Sequence, residues 1–245
     1  IRGCPKSINH SNTLWTAPFS IISNEIIMKI LKSILFLILL TSLIQEDLCS
    51  KIIEVCQNCV YSTLSEAAVV AIPGDSIVFF GGIYSGGDYI SNLKGNSERW
   101  ITITSKNDET VIFRAGSTAF QISDAEYIRI SHLNFEAQTV NGVNIDDGGT
   151  YDTPSHHIEF YDCSWKNMNA SGNNDMLKLS GVDSFSINKC RFNYGSSGGS
   201  GIDMVGCHNG VIIQSNFENQ GSNCIQVKGG SSNIRIERNH FSKGG

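Results

Sequence analysis

Five segments of the chain repeat one pattern at a nearly constant interval. Each segment alternates two apolar residues with polar ones, and a short spacer then leads to an aromatic residue. The copies are Ile128–Phe135, Ile158–Trp165, Phe185–Phe192, Val211–Phe217 and Ile234–Phe241. Their aromatic residues follow one another at steps of 30, 27, 25 and 24 residues. Such a step, with a period of two inside each copy, is typical of a β-solenoid in which every repeat forms one coil.

A single coil of this length cannot bury its apolar face alone. Stacking on the next coil pairs the backbones at about 4.8 Å and continues the core. The repeat therefore predicts an all-β fold, a single-stranded right-handed parallel β-helix. Thr63 and Glu66 have the spacing of a helix capping box, and Pro73 ends the helix that they begin. We expect this short N-terminal helix to cover the open end of the solenoid.

A second alternation recurs in each coil and predicts two polar columns. Its copies are Val143–Asp147, Leu177–Gly181, Ile202–Gly206 and Ile225–Gly229. The first residue of each copy is apolar and should point inwards, because strand side chains alternate between the two faces. One outward column then contains Asn144, Lys178, Asp203 and Gln226. The adjacent outward column contains Asp146, Ser180 and Lys228, and Val205 interrupts it.

Residues 28–50 have the organisation of a secretory signal peptide. Met28 begins the segment, Lys29 and Lys32 form a basic region, and a short apolar run extends over 34–44. The run is too short for a typical membrane span, so we prefer a signal peptide to the alternative of a membrane anchor. We therefore expect an extracellular, monomeric protein without stable membrane insertion after cleavage.

The rest of the chain lies before and after the predicted signal peptide. We expect residues 1–27 to be an upstream extension that is not native structure. Residues 51–245 should form the β-helix domain, truncated at its C-terminus because no polar cap follows the last aromatic residue.

The net charge and the cysteines give further predictions about the partners and the disulfides of the protein. The net charge is −5, which argues against nucleic acid as a partner, since phosphate binding needs clustered Lys and Arg. Cys56 and Cys59 have the spacing of a metal half-site or a redox pair, but no second such pair is present, so we favour a small disulfide, which an oxidising compartment permits, or a contact of the cap. Cys163 and Cys190 occupy the same repeat position, and we expect them to be neighbouring buried thiols rather than a disulfide.

Three segments carry a family resemblance that covers about residues 60–245. Asp75–Tyr84 is similar to the opening of pectate-lyase-like β-helix proteins. The stretch from Trp100–Thr104 to Val111–Phe113 resembles the next coil in chondroitinase B and alginate lyases. Asn233–Phe241 resembles the generic repeat of that superfamily. Because this fold supports many activities, the resemblance bears on the fold more than on the reaction.

The resemblance implies a secreted protein that acts on a uronate-rich polysaccharide by calcium-assisted β-elimination. In such lyases carboxylates hold the metal, and a Lys or Arg removes the proton next to the substrate carboxylate. Asn174, Asp175 and Lys178 resemble this arrangement, at a shorter spacing than in the chondroitinase B group. A second acidic ligand has no clear counterpart here.

Lys178 is our candidate for the general base, and the alternative is a solvated surface lysine. Candidate calcium ligands are carboxylates, because calcium prefers hard oxygen donors. They are Asp146, Asp147, Asp175 and Asp203. The alternative for Asp146 and Asp147 is a structural turn, in which Asp is common.

Candidate substrate contacts are polar side chains of the two columns and one aromatic residue. They are Asn144, Ser180, Gln226, Lys228 and Tyr151, the last from an insertion over 148–155. Trp165 is aromatic too, but its repeat position predicts packing. His156 and His157 are adjacent in a strand, so we expect them to point to opposite faces and not to share a metal ion.

Two functions other than a lyase agree with the same residues. One is a non-catalytic solenoid that binds carbohydrate or mediates adhesion. The other is a glycoside hydrolase, which needs two carboxylates about 5–9.5 Å apart, and Asp175 with Asp203 are the candidates.

Overall fold

The computed structural model of the chain describes residues 24–43 and 49–244, except for the side chains of 37–43. The chain divides into two units, Ile1–Leu48 and Cys49–Gly245. In the first unit, helix α1 spans Asn24–Leu43. Within the described ranges, no helix combines the length and apolar character needed to cross a membrane. Part of the predicted signal segment and most of the upstream extension lie outside these residues, so both remain predictions.

The second unit is a parallel β-solenoid of about seven turns. Successive coils stack their strands into three sheets of eight, seven and six strands, which we name A, B and C. Sheet A contains β1 Ile52–Val55, β2 Ser76–Phe79, β5 Ile101–Ser105, β8 Glu126–Ser131, β11 Ser155–Tyr161, β14 Val182–Asn188, β17 His208–Ile213 and β20 Ser232–Glu237.

Sheets B and C complete each coil. Sheet B contains β3 Gly82–Ser85, β6 Val111–Arg114, β9 Leu133–Glu136, β12 Ser164–Lys166, β15 Arg191–Asn193, β18 Asn216–Glu218 and β21 His240–Ser242. Sheet C contains β4 Asp88–Ser91, β7 Phe120–Ser123, β10 Val143–Asp146, β13 Leu177–Ser180, β16 Ile202–Val205 and β19 Ile225–Lys228. All neighbouring strands pair in parallel, which confirms the predicted β-helix.

Single residues with left-handed backbone turn the chain from one sheet to the next. At the corner between sheets A and B, φ lies between 47° and 56° in every one of five successive coils. These residues are His132, Asp162, Lys189, Gln214 and Arg238. One left-handed residue redirects the strand without a loop, so the corner repeats at the same place and the coils stay aligned.

The interior holds an aromatic stack that runs through the coils. Its members come from the inward positions of sheet B, and neighbouring ring centroids lie 4.7–5.8 Å apart. They are Phe113, Phe135, Trp165, Phe192, Phe217 and Phe241. Cys163 and Cys190 are buried free thiols, as expected, and burial raises the pKa of Cys163 well above its ordinary value.

Helix α2, Leu64–Val70, covers the N-terminal end of the solenoid. Thr63 caps it by accepting a hydrogen bond from the Glu66 backbone N–H, and Glu66 accepts one from the Thr63 backbone N–H. Leu64 and Ala67 are buried in the core. The Asp88 carboxylate of sheet C accepts from the Leu64 N–H, which fastens the helix to the first coils. The predicted capping helix is therefore present, and the predicted Cys56–Cys59 disulfide lies close before it.

Candidate functional site

Two rows of side chains run across the outer face of sheet C, perpendicular to its strands. Strand register places in the first outer row Tyr89, Gln121, Asn144, Lys178, Asp203 and Gln226. The second outer row contains Ser91, Ser123, Asp146, Ser180, Val205 and Lys228. Strand pairing therefore confirms both predicted columns, the first from Asn144 onwards and the second from Asp146 onwards.

The columns predicted from the sequence did not include the first two members of each row. Gln121 lies in Phe120–Ser123, where the same apolar–polar alternation was available as a signal. The sequence signal for Tyr89 is weaker, because Asp88 occupies the position at which the later copies have an apolar residue. Asp88 differs because its carboxylate binds the capping helix. Tyr89 is exposed at the N-terminal end of the first outer row.

The centre of the first outer row is an ion-pair cluster around Asp203. The Lys178 Nζ donates a hydrogen bond to Asp203 Oδ2, and the Lys228 Nζ lies 3.0 Å from Asp203 Oδ1. The Asp203 side chain points to the outer face, as expected, but it is fully buried. Lys178 and Lys228 are 20 % and 36 % exposed. Both lysine side chains are therefore partly exposed, and the carboxylate that balances their charges is buried.

Asp175 extends this cluster from the turn before β13. Its Oδ1 accepts the Ser200 backbone N–H at 2.7 Å, and its Oδ2 lies 3.8 Å from Lys178 Nζ. Burial raises the pKa of Asp175. The Ser200 hydrogen bond opposes this rise, whereas the Asp203 charge adds to it. The cluster thus contains two carboxylates in different environments: Asp203 lies against two ammonium groups, whereas Asp175 accepts a backbone hydrogen bond and lies farther from Lys178.

The raised pKa of Asp175 predicts a pH dependence of stability. Between the ordinary pKa of Asp and its raised folded value, the folded state binds more protons than the unfolded state, so stability falls as pH rises. Asp175→Asn removes the ionisation and keeps an oxygen acceptor for Ser200. We expect urea unfolding at several pH values from about 4 upwards to show a weaker decline for this variant than for the parent.

Asp175→Ala is the matched control. It leaves the buried Ser200 N–H without its acceptor, so we expect an additional loss of about 1–3 kcal/mol relative to Asp175→Asn across the pH range. An Asn variant that declines as steeply with pH as the parent would contradict the assignment of this decline to Asp175.

Asp146 and Asp147 organise the start of the insertion over 148–155. Asp146 Oδ2 accepts from Gln121 Nε2 at 2.7 Å and from Asn144 Nδ2 at 3.2 Å. Asp147 Oδ1 accepts the Gly149 N–H at 2.9 Å. A Cβ on Gly181, whose φ is 62°, would come within 2.1 Å of Asp147 Oδ2, so glycine leaves room for this carboxylate. These contacts are those of the structural turn that the sequence left open as an alternative.

The four predicted calcium ligands lie in two different settings. Asp175 and Asp203 face lysines, and Asp146 and Asp147 bind amides and backbone N–H groups. Among the residues that the structure describes, no three His, Cys, Asp or Glu side chains are placed to hold one metal ion. Calcium takes six to eight oxygen ligands, and ammonium groups occupy the space beside Asp203. In this arrangement the residues do not fit the ion, and calcium binding remains a prediction.

Tyr151 lies beside the second outer row. Its side chain is 73 % exposed, and a Cβ built on Gly206 would lie 3.9 Å from its ring. Gly206 follows Val205 directly, two coils beyond the strand from which the insertion departs. The insertion therefore folds along the solenoid and presents an aromatic ring at the edge of the row.

The other predicted substrate contacts lie on the same face. Ser180 is partly exposed between Asp146 and Val205 in the second outer row. The Lys228 Nζ donates to Gln226 Oε1 at 3.3 Å. Asn144 Oδ1 is buried without a hydrogen-bond partner in the structure. All the predicted contacts therefore lie on or beside one polar strip, and the structure adds Tyr89 and Gln121 to it.

Comparison with known proteins places the fold. No family model matches the chain, and no curated protein sequence does. An alginate lyase from Paenibacillus sp. str. FPU-7 superposes with a TM-score of 0.52 at 18 % identity, covering 80 % of this chain and 77 % of that one. A rhamnogalacturonan lyase gives a TM-score of 0.46 at 14 % identity, covering 80 % and 63 %. A pectate lyase gives 0.44 at 16 % identity, covering 71 % and 55 %. The likeness to the alginate lyase concerns the fold alone, and that fold is a parallel β-helix.

Proposed function

We propose that this chain is a secreted protein that binds and cleaves a uronate-containing polysaccharide along the outer rows of sheet C. The observation that carries the proposal is the ion-pair cluster, in which the partly exposed Lys178 and Lys228 side chains contact the buried Asp203 carboxylate. This layering presents positive charge to a sugar carboxylate while the site as a whole stays close to neutral. The fold shared with an alginate lyase adds support.

The rows suit a polymer better than a small molecule. Successive coils are about 4.8 Å apart, so a chain lying across the strands meets a new side chain at every coil. Amide and hydroxyl groups are available for sugar hydroxyls at Gln121, Ser180 and Gln226. Exposed rings lie at two places along the strip, Tyr89 and Tyr151, where the apolar face of a sugar can pack.

The proposed reaction is β-elimination. Lys228 binds the carboxylate of a uronate. Lys178 passes its ammonium proton to the hydrogen-bonded Asp203 and then, as the neutral amine, takes the proton from the carbon next to that carboxylate. The electron pair of the broken C–H bond forms a carbon–carbon double bond while the bond to the leaving sugar oxygen breaks, and water returns a proton to that oxygen. Asp203 holds Lys178 by their hydrogen bond before substrate arrives.

One observation favours binding without catalysis as the second candidate. Lys178 contacts the Asp203 and Asp175 carboxylates, and a lysine paired in this way serves naturally as a fixed positive charge. In that case the same strip retains a polysaccharide and releases no product.

Incubation of the full chain with pectate, alginate and glycosaminoglycans separates these functions. We expect absorbance from unsaturated uronate with at least one substrate, and parallel reactions with added calcium or a chelator test the metal. New reducing ends without double bonds would instead identify a hydrolase, for which Asp175 and Asp203 are the carboxylates. Retention on an immobilised polysaccharide without product would identify a binding module. If the chain neither bound nor cleaved any of these polysaccharides, the proposal would be contradicted.

Tyr151→Ala is expected to weaken polysaccharide binding about tenfold, because an exposed ring at the edge of the strip would lose its contact with the sugar. Affinity electrophoresis with the retained polysaccharide measures the change. Tyr194→Ala is the matched control, since Tyr194 is 55 % exposed and follows a strand of sheet B instead. Equal weakening by both substitutions would argue that the binding surface lies elsewhere.

A further inference from the structure

His156 and His157 point to the same side of sheet A, which corrects the expectation that adjacent strand residues diverge. His157 has a φ of 56° and is skipped in the pairing of β11 with both neighbouring strands. This left-handed residue turns the second imidazole back towards the first, and their Nδ1 atoms lie 2.9 Å apart, at hydrogen-bond distance. The sequence alternation could not reveal this, because it assumes a regular strand.

We propose that His156 and His157 bind a divalent transition-metal ion through their Nδ1 atoms. Imidazole nitrogens bind such ions at about 2.0–2.1 Å, and two bonds of this length at a right angle place the nitrogens about 2.9 Å apart. The observed separation of 2.9 Å, which is also a hydrogen-bond distance between the rings, lets both nitrogens reach one ion, and imidazole ligands suit Cu²⁺ and Ni²⁺.

Glu126 supplies the support that metal-binding histidines commonly have. Its Oε2 lies 3.7 Å from His156 Nε2, on the side of the ring opposite the paired nitrogens. A proton on Nε2 facing this carboxylate leaves His156 Nδ1 with a free lone pair for a metal. Lys94 pairs with Glu126 Oε1 at 2.6 Å and holds the carboxylate in place.

Aromatic rings position the second histidine. Tyr127 stacks on His157 with ring centroids 4.4 Å apart, and Trp100 meets His157 edge-on at 6.2 Å. Both histidines stay partly exposed, so an ion can reach them from solvent. Asp183, the strand partner of His156 on the next coil, adds negative charge nearby. The protein supplies two ligands, and the other positions are open to water or to an exogenous ligand.

This site lies on sheet A and does not depend on the proposed polysaccharide chemistry on sheet C. The test uses Ni²⁺ alone with the full chain, because Ni²⁺ does not oxidise the free thiols as Cu²⁺ does. Isothermal titration is expected to show one saturable site that binds Zn²⁺ more weakly, following the affinity order of divalent metals. Quenching of Trp100 emission should accompany binding, and Trp100→Phe should abolish the quenching while Ni²⁺ still binds.

His157→Asn is the decisive substitution. The residues at the same corner of later coils are Asn209 and Asn233, with φ of 54° and 55°. Asparagine is therefore compatible with the left-handed backbone at position 157. We expect His157→Asn and His156→Gln each to weaken Ni²⁺ binding at least tenfold. His208→Gln, in another strand of the same sheet, should leave it unchanged. Saturable Ni²⁺ binding that survives both substitutions together, or no saturable binding by the parent chain, would overturn the proposal.

Discussion

Replacing Trp165 by alanine is expected to lower the free energy of unfolding by about 3–5 kcal/mol. Trp165 is fully buried in the aromatic stack, with ring centroids 4.8 Å from Phe135 and 4.7 Å from Phe192. Parallel hydrogen bonding on both sides of β12 fixes the distance between coils. The coils cannot move together to fill the space, so most of the cavity should remain. Urea unfolding followed by circular dichroism measures the loss.

Trp165→Phe is the matched control and separates packing from polarity. Trp165 Nε1 is buried without a hydrogen-bond partner in the structure, an arrangement that itself lowers stability. Phenylalanine removes this N–H and matches the residue at the same position in both neighbouring coils. We expect Trp165→Phe to stay within about 1.5 kcal/mol of the parent, because the smaller ring is offset by the loss of the unpaired group. A loss as large as that of Trp165→Ala would show that the volume of the indole ring dominates.

Lys178→Ala is expected to reduce double-bond formation by about 10²–10⁴-fold, the usual contribution of a positioned general base. The physical reason is that no other amine occupies its position in the first outer row, whose neighbouring members are Asn144 and Asp203. Initial rates of unsaturated uronate formation, with the substrate identified by the screen, measure the effect on kcat.

Lys228→Ala distinguishes a base from a substrate contact. Lys228 contacts the same Asp203 carboxylate, so both variants disturb the ion-pair cluster in a similar way. We expect Lys228→Ala to raise KM more than it lowers kcat, because its proposed role is to bind the uronate. Thermal unfolding of both variants checks that the fold persists. Equal effects on kcat from the two substitutions would contradict the separate role of Lys178 and favour a purely structural cluster.

The cluster also explains why an acidic residue is tolerated on this wall. Asp203 alone would be an uncompensated buried charge, which is costly. With Lys178 on one adjacent coil and Lys228 reaching back from the other, each oxygen has a cationic neighbour. The stacking of coils therefore creates the site, since Lys178, Asp203 and Lys228 follow one another at steps of 25 positions along the chain.

The amino-acid sequence by itself determined the solenoid and the composition of its outer rows. The reason is that both follow from periodicity: a two-residue alternation decides which side chains point inwards, and a step of about 25 residues decides which ones become neighbours. Asn144, Lys178, Asp203 and Gln226 were placed in one row on these grounds, and strand pairing places them there.

Only the tertiary structure decided which contacts these side chains make and how deeply they are buried. Asp203 is buried because long lysine side chains from adjacent coils lie over it, and periodicity carries no information about their rotamers. Tyr151 reaches Gly206 because an irregular insertion folds along the solenoid. His157 turns towards His156 because the left-handed residue at this corner of the coil interrupts the two-residue alternation. The outcome depends on side-chain conformations, on an insertion and on a corner, and the two-residue alternation specifies none of them.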